Sequence, residues 1–176
     1  MKILLIYDSV HGNTEQIAKT IGNSLRARNE IRVLRVSDAK PTDLANLNLL
    51  IVGSPTHQFR ASPAMKKFLG GIRKRELKDI GVAAFDTRLG MDDLPSPILP
   101  PFVKIFGYAA KPIADALVSK GGKLIASPEG FFVTGMEGPL KDGELARAAR
   151  WAEQVAGTQL HLSARLSRHF VVRARD

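Results

Sequence analysis

Apolar runs alternate with helix-like stretches along most of the chain. Runs rich in branched apolar residues predict five β-strands, at residues 2–7, 31–36, 47–53, 80–85 and 122–126. Apolar residues that recur every three or four positions predict helices at 13–28, from Pro63, within 102–119 and from about Asp142 to Ala156. Strands that alternate with helices favour a parallel sheet covered on both faces. We therefore predict an α/β fold of three layers, with helices on both sides of a doubly wound, five-stranded parallel sheet.

Some of these elements carry finer expectations. Residues 31–36 alternate apolar and polar positions, which is typical of a strand near the edge of a sheet. Residues 129–133 are expected to continue the fifth strand, with Phe131 and Phe132 facing opposite sides and buried in the core. Pro112 is expected to end one helical segment and begin another. Trp151, on the last helix, is expected in the core or at an interface.

Length and composition narrow the class of protein. The chain has 176 residues, 44% of them hydrophobic and 24% charged, which predicts one soluble globular domain. No apolar stretch approaches the roughly 20 residues that cross a bilayer. Cysteine is absent, which excludes disulfides and thiolate chemistry. Since no leader-like segment precedes the first strand, we expect a cytoplasmic location.

The charge is strongly basic. The chain has 26 Lys and Arg against 17 Asp and Glu, a net charge of +9. Part of the excess lies in residues 66–78 and part in residues 158–176, which we interpret as a basic C-terminal tail that follows a domain of residues 1–157. The tail pattern is compatible with a surface helix, a membrane-binding segment or disorder. Such patches attract acidic proteins, anionic lipid or nucleic acid, and the alternative is a solvated face.

The turn after the first strand has the composition of a phosphate-binding loop. Ser9-Val10-His11-Gly12-Asn13-Thr14 lies between a buried strand and the start of a helix, where free backbone N–H groups point into the turn. Gly12 allows a close approach of the backbone, and side-chain donors come from Ser9, His11, Asn13 and Thr14. The loop lacks the lysine of nucleoside-triphosphate loops, so a terminal monophosphate suits it better. The alternative is an ordinary turn capped by Asn13 or Ser9.

This loop resembles the Ser/Thr-x-Thr-Gly-Asn-Thr phosphate loop of the flavodoxin-like family, with His11 in place of a hydroxyl residue. The resemblance covers roughly residues 1–157. It implies the strand order 2-1-3-4-5 and flavin mononucleotide (FMN) as cofactor. By the same resemblance, three loops that follow the first, third and fourth strands form the cofactor site.

The second of these loops is Gly53-Ser54-Pro55-Thr56-His57-Gln58-Phe59, which resembles the Gly-Ser-Pro-Thr loop of family members that include quinone reductases. The resemblance implies that Ser54, Pro55 and Thr56 hold the ribityl chain or the flavin edge. A flat ring favours an aromatic partner on its face, and Phe59 or His57 is the candidate. Alternatively, Phe59 packs on the following helix and His57 is exposed.

The third loop begins with Asp86, Thr87 and Arg88. Small flavodoxins commonly place an aromatic residue here, but residues 86–97 contain none. One face of the flavin is therefore either covered by an aliphatic side chain or open to a hydride donor or planar substrate. Thr87 is expected at the pyrimidine end, and Arg88 near the negative charge of the reduced ring. The alternatives are a capping Asp86 and a surface Arg88.

The proline-rich residues 94–107 are too apolar for an ordinary solvated loop. They are expected to cover the flavin pocket, to mediate dimerisation, or to fold onto the core. The oligomeric state is otherwise open.

Three functions remain compatible with the sequence. The first is an FMN-binding redox protein that exchanges electrons with an acidic partner protein or at an anionic membrane surface. The second is an FMN-dependent oxidoreductase that uses NAD(P)H and a quinone, or that oxidises protoporphyrinogen. The third is a flavodoxin-fold binding module without flavin. Nucleic acid is not expected as a partner.

Overall fold

The computed structural model describes residues 1–56, 60–90 and 108–173, with residues 165–173 as backbone alone. The strands are β1 (Lys2–Tyr7), β2 (Glu30–Arg35), β3 (Leu49–Pro55), β4 (Gly81–Leu89), β5 (Lys123–Leu124) and β6 (Glu129–Val133). The helices are α1 (Asn13–Leu25), α2 (Pro63–Gly71), α3 (Ala110–Ser119) and α4 (Glu144–Arg173), with a 3₁₀ turn at Pro41–Leu44. Within the described part of the chain, no helix is long and apolar enough to cross a membrane.

The sheet has the order β2-β1-β3-β4-β5, and every one of these pairs is parallel. The predicted α/β fold and the order 2-1-3-4-5 are therefore confirmed. The fifth position is occupied by two short strands in succession. Gly81 and Val82 of β4 pair with β5, and residues 85–89 pair with β6. The expectation that 129–133 continues the fifth strand is confirmed.

The sheet separates two apolar cores. Side chains from alternate positions of each strand pack on α2 and α3 on one face and on α1 and α4 on the other. Trp151 lies in the second core, where its ring makes edge contacts with Phe85 and Phe131. The expected core position of Trp151 is confirmed. Phe132 is only half-buried, so the expectation that both adjacent phenylalanines are buried is wrong for this one.

Strands β3 and β4 are longer than predicted at their carboxyl ends. Ser54 and Pro55 belong to β3, and residues 86–89 belong to β4 rather than to a loop. The cause is pairing between distant segments: Pro55 lies opposite Thr87, and residues 85–89 lie opposite β6. Such neighbours satisfy backbone groups that a local sequence pattern leaves open.

Helix α4 does not end near Ala156. It continues to Arg173, through Gly157 and into the segment predicted as a separate tail. Gln159 is buried, and its side chain lies where a Cβ on Gly81 would be, so the helix is anchored to the start of β4 beyond the glycine. The division into a domain of residues 1–157 and a tail stays a prediction. Pro112 lies in the first turn of α3, where its missing N–H costs no helical hydrogen bond.

Candidate functional site

The predicted site residues that the structure describes come together where β1, β3 and β4 end, at the carboxyl edge of the sheet. The parallel register places Tyr7 beside Gly53, and Gly53 beside Phe85. The segments that follow these three residues therefore share one edge. Ligands of doubly wound sheets bind at this edge, beside the point where the strand order reverses.

The first loop forms an open cradle at the N-terminus of α1. Gly12 is the N-cap residue with φ +82°, and as a glycine it supplies no side-chain cap of its own. A Cβ added to Gly12 would meet nothing within 4 Å. Ser9 is buried, and its hydroxyl oxygen accepts a hydrogen bond of 3.3 Å from the amide of Glu15, which leaves the hydroxyl proton to donate. The cradle therefore offers neutral donors and the positive end of a helix dipole to an anion.

Thr14 links this loop to β4. Its buried hydroxyl lies 2.8 Å from the hydroxyl of Thr87. The pair shares one hydrogen bond, so one of the two hydroxyl protons remains for another acceptor. Asn13 is used differently, because its side-chain amide donates to the carbonyl of Glu137 over 2.9 Å. This contact holds the turn after β6 against the loop.

Two contributors to the loop were not anticipated from the sequence. Arg35, the last residue of β2, donates to the carbonyl of Ser9 and lies 3.9 Å from a carboxylate oxygen of Asp8. Glu137 holds Asn13, as described above. A signal for Arg35 existed: once residues 31–36 are read as a parallel strand, its last residue belongs at the carboxyl edge. No local pattern predicts the contact between positions 13 and 137.

The second loop is held by its own hydroxyl groups. The buried Ser54 hydroxyl accepts from the amide of Ser62 over 3.0 Å, and Ser62 in turn caps α2 by accepting from the amide of Met65. Thr56 bonds through its amide to the carbonyl of Thr87 and through its hydroxyl to the amide of Ala109. Ser54 and Thr56 thus fix the shape of this edge.

The third segment contains a buried ion pair. The fully buried carboxylate of Asp86 is bonded to two nitrogens of Arg88 and, over 2.7 Å, to the amide of Ala110 at the start of α3. The Arg88 guanidinium also lies 3.9 Å from the ring centroid of Tyr108. Burial raises the pKa of Asp86, while Arg88 and the Ala110 amide favour the ionised form. Asp86 therefore caps α3, and its charge is neutralised within the protein.

The remaining predicted residues divide into two groups. His11 is exposed on the first loop. His57 and Phe59, together with residues 94–107, lie outside the described residues. Their expected contacts with the flavin stay predictions, as does the role of Arg88 toward the reduced ring.

A family model described as a flavodoxin domain matches residues 4–100, which is more than half of the chain. This chain belongs to the flavodoxin family. A flavodoxin from Aquifex aeolicus (strain VF5) is 34% identical over 73 residues, which are 40% of this chain and 40% of that protein. The match thus spans less than half of the length of this curated flavodoxin.

Solved structures of other proteins share the architecture. Oxidised flavodoxin 1 from Bacillus cereus superposes with a TM-score of 0.68 at 18% identity, over 89% of this chain and 98% of that one. Rubredoxin oxygen:oxidoreductase from Desulfovibrio gigas gives a TM-score of 0.70 at 19% identity, over 91% of this chain but 36% of that one. At these identities the likeness shows the fold.

Proposed function

We propose that this member of the flavodoxin family binds FMN at the carboxyl edge and exchanges electrons with a partner. The observation that carries the proposal is the cradle around Gly12, a helix N-terminus whose N-cap glycine has open space beside its Cα, in a chain that matches the flavodoxin model. When bound, FMN supplies the redox chemistry through its ring system. The protein's contribution is to bind, orient and shield it.

The residues of the first loop suit a phosphate group. Backbone amides at the start of α1 and the Ser9 hydroxyl are the proposed donors, with the remaining proton of the Thr14–Thr87 pair as a further one. His11 is exposed on the same loop and is proposed as a further donor to the phosphate. Asn13 holds the neighbouring turn instead, through Glu137.

The second and third segments suit the rest of the cofactor. Ser54 and Thr56 use their side chains to hold the protein, so the groups they offer to the ribityl chain or ring are those of the backbone and Pro55. Arg88 is bound to Asp86 on one side and stacked on Tyr108 on the other. Its proposed influence on the reduced ring is therefore a field effect and not a direct contact.

The proposed electron partner is an acidic protein, because the chain is basic. A net charge of +9 favours an acidic protein over a basic one. NAD(P)H as electron donor, and a quinone or protoporphyrinogen as substrate, belong to the oxidoreductase alternative. The cytoplasmic location expected from the sequence is part of the same proposal.

The test is a reductive titration of the purified, FMN-loaded protein, with and without a nicotinamide donor. The proposal predicts visible flavin absorbance and two separate one-electron steps that NADH and NADPH do not accelerate. Rapid bleaching by NADH or NADPH would select the oxidoreductase instead. Failure to retain added FMN would contradict both and favour a binding module without flavin.

A further inference from the structure

The opposite edge of the sheet, where the strands begin, is rich in basic residues. This amino edge consists of residues 1–2, 26–30, 45–48, 72–80 and 120–123, which connect the helix ends to the strand starts. These segments contain nine basic and three acidic residues, so they hold +6 of the chain's net +9. Like charges crowded on one edge create a local positive potential.

Most of these cations have no counter-ion within the described part of the chain. Six of them are exposed and, among the described residues, make no ion pair; we name them the amino-edge patch: Arg26, Arg28, Arg73, Lys74, Arg75 and Lys78. Lys123 differs, since it pairs with Asp79 over 2.8 Å. The segment that holds four of these cations packs against the end of α3, because the amide of Leu77 donates to the carbonyl of Lys120.

Helix α4 leaves the body of the protein at this edge. It starts at the carboxyl edge, where Glu144 accepts from the amide of Phe132, and reaches the start of β4 at Gln159. Residues 160–173 therefore extend beyond the amino edge, by about 21 Å at 1.5 Å per residue. The extension leaves the body beside Gly81, three residues after Lys78.

The sequence of this extension is basic and amphipathic. Residues 160–173 contain three arginines and no acidic residue. Leu162, Leu166 and Phe170 recur at four-residue spacing, which places these positions on one helix face. At the near end of the extension, Leu162 is 41% exposed, and Leu160, on the other side of the helix, is 53% exposed. Apolar residues that recur at this spacing, with arginines interspersed among them, are the pattern of a helix that lies in a lipid interface.

We propose that the amino-edge patch and the extension of α4 together dock the protein on an anionic phospholipid surface. The patch supplies cations for the phosphate headgroups, and the extension supplies apolar side chains for the acyl boundary. A nucleic acid would match the cations but offers no hydrocarbon to the leucines. Docking through the amino edge leaves the carboxyl edge facing away from the lipid, accessible to an electron partner. The inference does not depend on flavin binding.

The test is sedimentation of the full chain with vesicles. We expect binding to vesicles of equal parts phosphatidylcholine and phosphatidylglycerol, none to phosphatidylcholine alone, and a loss of binding as salt is raised. The triple variant Arg73→Gln, Lys74→Gln, Lys78→Gln is expected to lower the partition coefficient by about a hundredfold. Leu160→Gln with Leu162→Gln is expected to lower it by about tenfold.

A matched control removes the same three charges elsewhere. Lys40→Gln, Lys66→Gln, Arg150→Gln changes exposed positions away from the amino edge and should bind vesicles within about threefold of the parent chain. The proposal is overturned if anionic vesicles do not sediment the parent chain, or if the two triple variants lose binding equally. Tighter binding to duplex DNA than to anionic vesicles at the same salt would overturn it too. The proposal is also overturned if the parent chain does not bind vesicles but forms a dimer, and if Leu160→Gln with Leu162→Gln dissociates that dimer.

Discussion

The two edges of the sheet handle charge in opposite ways. The carboxyl edge contains two buried or partly buried ion pairs, Asp86 with Arg88 and Arg147 with Glu144. At the amino edge, six exposed cations have no ion partner among the described residues. A site that must bind one small anion with neutral donors is best surrounded by charges that are already satisfied. An edge that meets an extended anionic surface benefits from cations left free.

The largest effect is expected where a charge is both buried and paired. Arg88→Met leaves the buried Asp86 carboxylate without its cation, which costs about 3–5 kcal/mol of unfolding free energy at neutral pH. Without the guanidinium, burial raises the pKa of Asp86 further, so the folded state binds a proton below that pKa. The loss of stability therefore grows as the pH rises through it and shrinks in acid. Urea unfolding at several pH values, followed by the fluorescence of Trp151, the only tryptophan, measures the loss of stability and its pH dependence.

The control is Arg73→Met, which removes an exposed cation from the amino edge. Its unfolding free energy should stay within about 0.5 kcal/mol of that of the parent chain, both at neutral pH and in acid. Equal losses of unfolding free energy in Arg88→Met and Arg73→Met would contradict the proposed difference between the two edges.

A smaller effect is expected from the hydroxyl pair that joins the first loop to β4. Thr14→Val and Thr87→Val each leave a buried hydroxyl without its partner, at a cost of about 1–3 kcal/mol. The double variant removes both groups and should cost less than the sum of the single ones. Additive losses in this double-mutant cycle would show that the two hydroxyls do not interact.

Gly12→Ala tests the cradle itself. Alanine at φ +82° costs about 1 kcal/mol from backbone strain, although its Cβ would meet no atom within 4 Å. FMN affinity should fall by more than this strain explains, since the methyl group enters the space proposed for the phosphate. Gly143→Ala is the matched control, because Gly143 has φ +81° with equally open space at the start of α4. Equal FMN affinity of the two variants would show that the first loop does not bind the phosphate.

The smallest effect on the fold is expected at the amino edge. The triple variant Arg73→Gln, Lys74→Gln, Lys78→Gln should unfold within about 0.5 kcal/mol of the parent chain and bind FMN unchanged. Calorimetric FMN titration and urea unfolding check both expectations. A large loss in either would mean that the patch contributes to the fold or the site and is not a surface feature alone.

Some features of the fold and the candidate site can be predicted from the sequence, and others cannot. Strand order and the composition of the first loop follow from local patterns, because buried strands and helix starts have short-range signatures. The extension of β4 to Leu89 does not, since it depends on pairing with β6, 44 residues away along the chain. Nor does the contact of Asn13 with Glu137, or the course of α4 past Gly157, where burial of Gln159 against Gly81 outweighs the helix-breaking tendency of glycine.

The most direct test of the carboxyl-edge site compares FMN with riboflavin, which has the same ring and no phosphate. Titration of the apoprotein, followed by quenching of flavin fluorescence, should give an affinity for FMN about a hundredfold or more above that for riboflavin, because two or more charge-assisted hydrogen bonds are lost with the phosphate. Equal affinities would contradict a phosphate cradle at Ser9–Thr14.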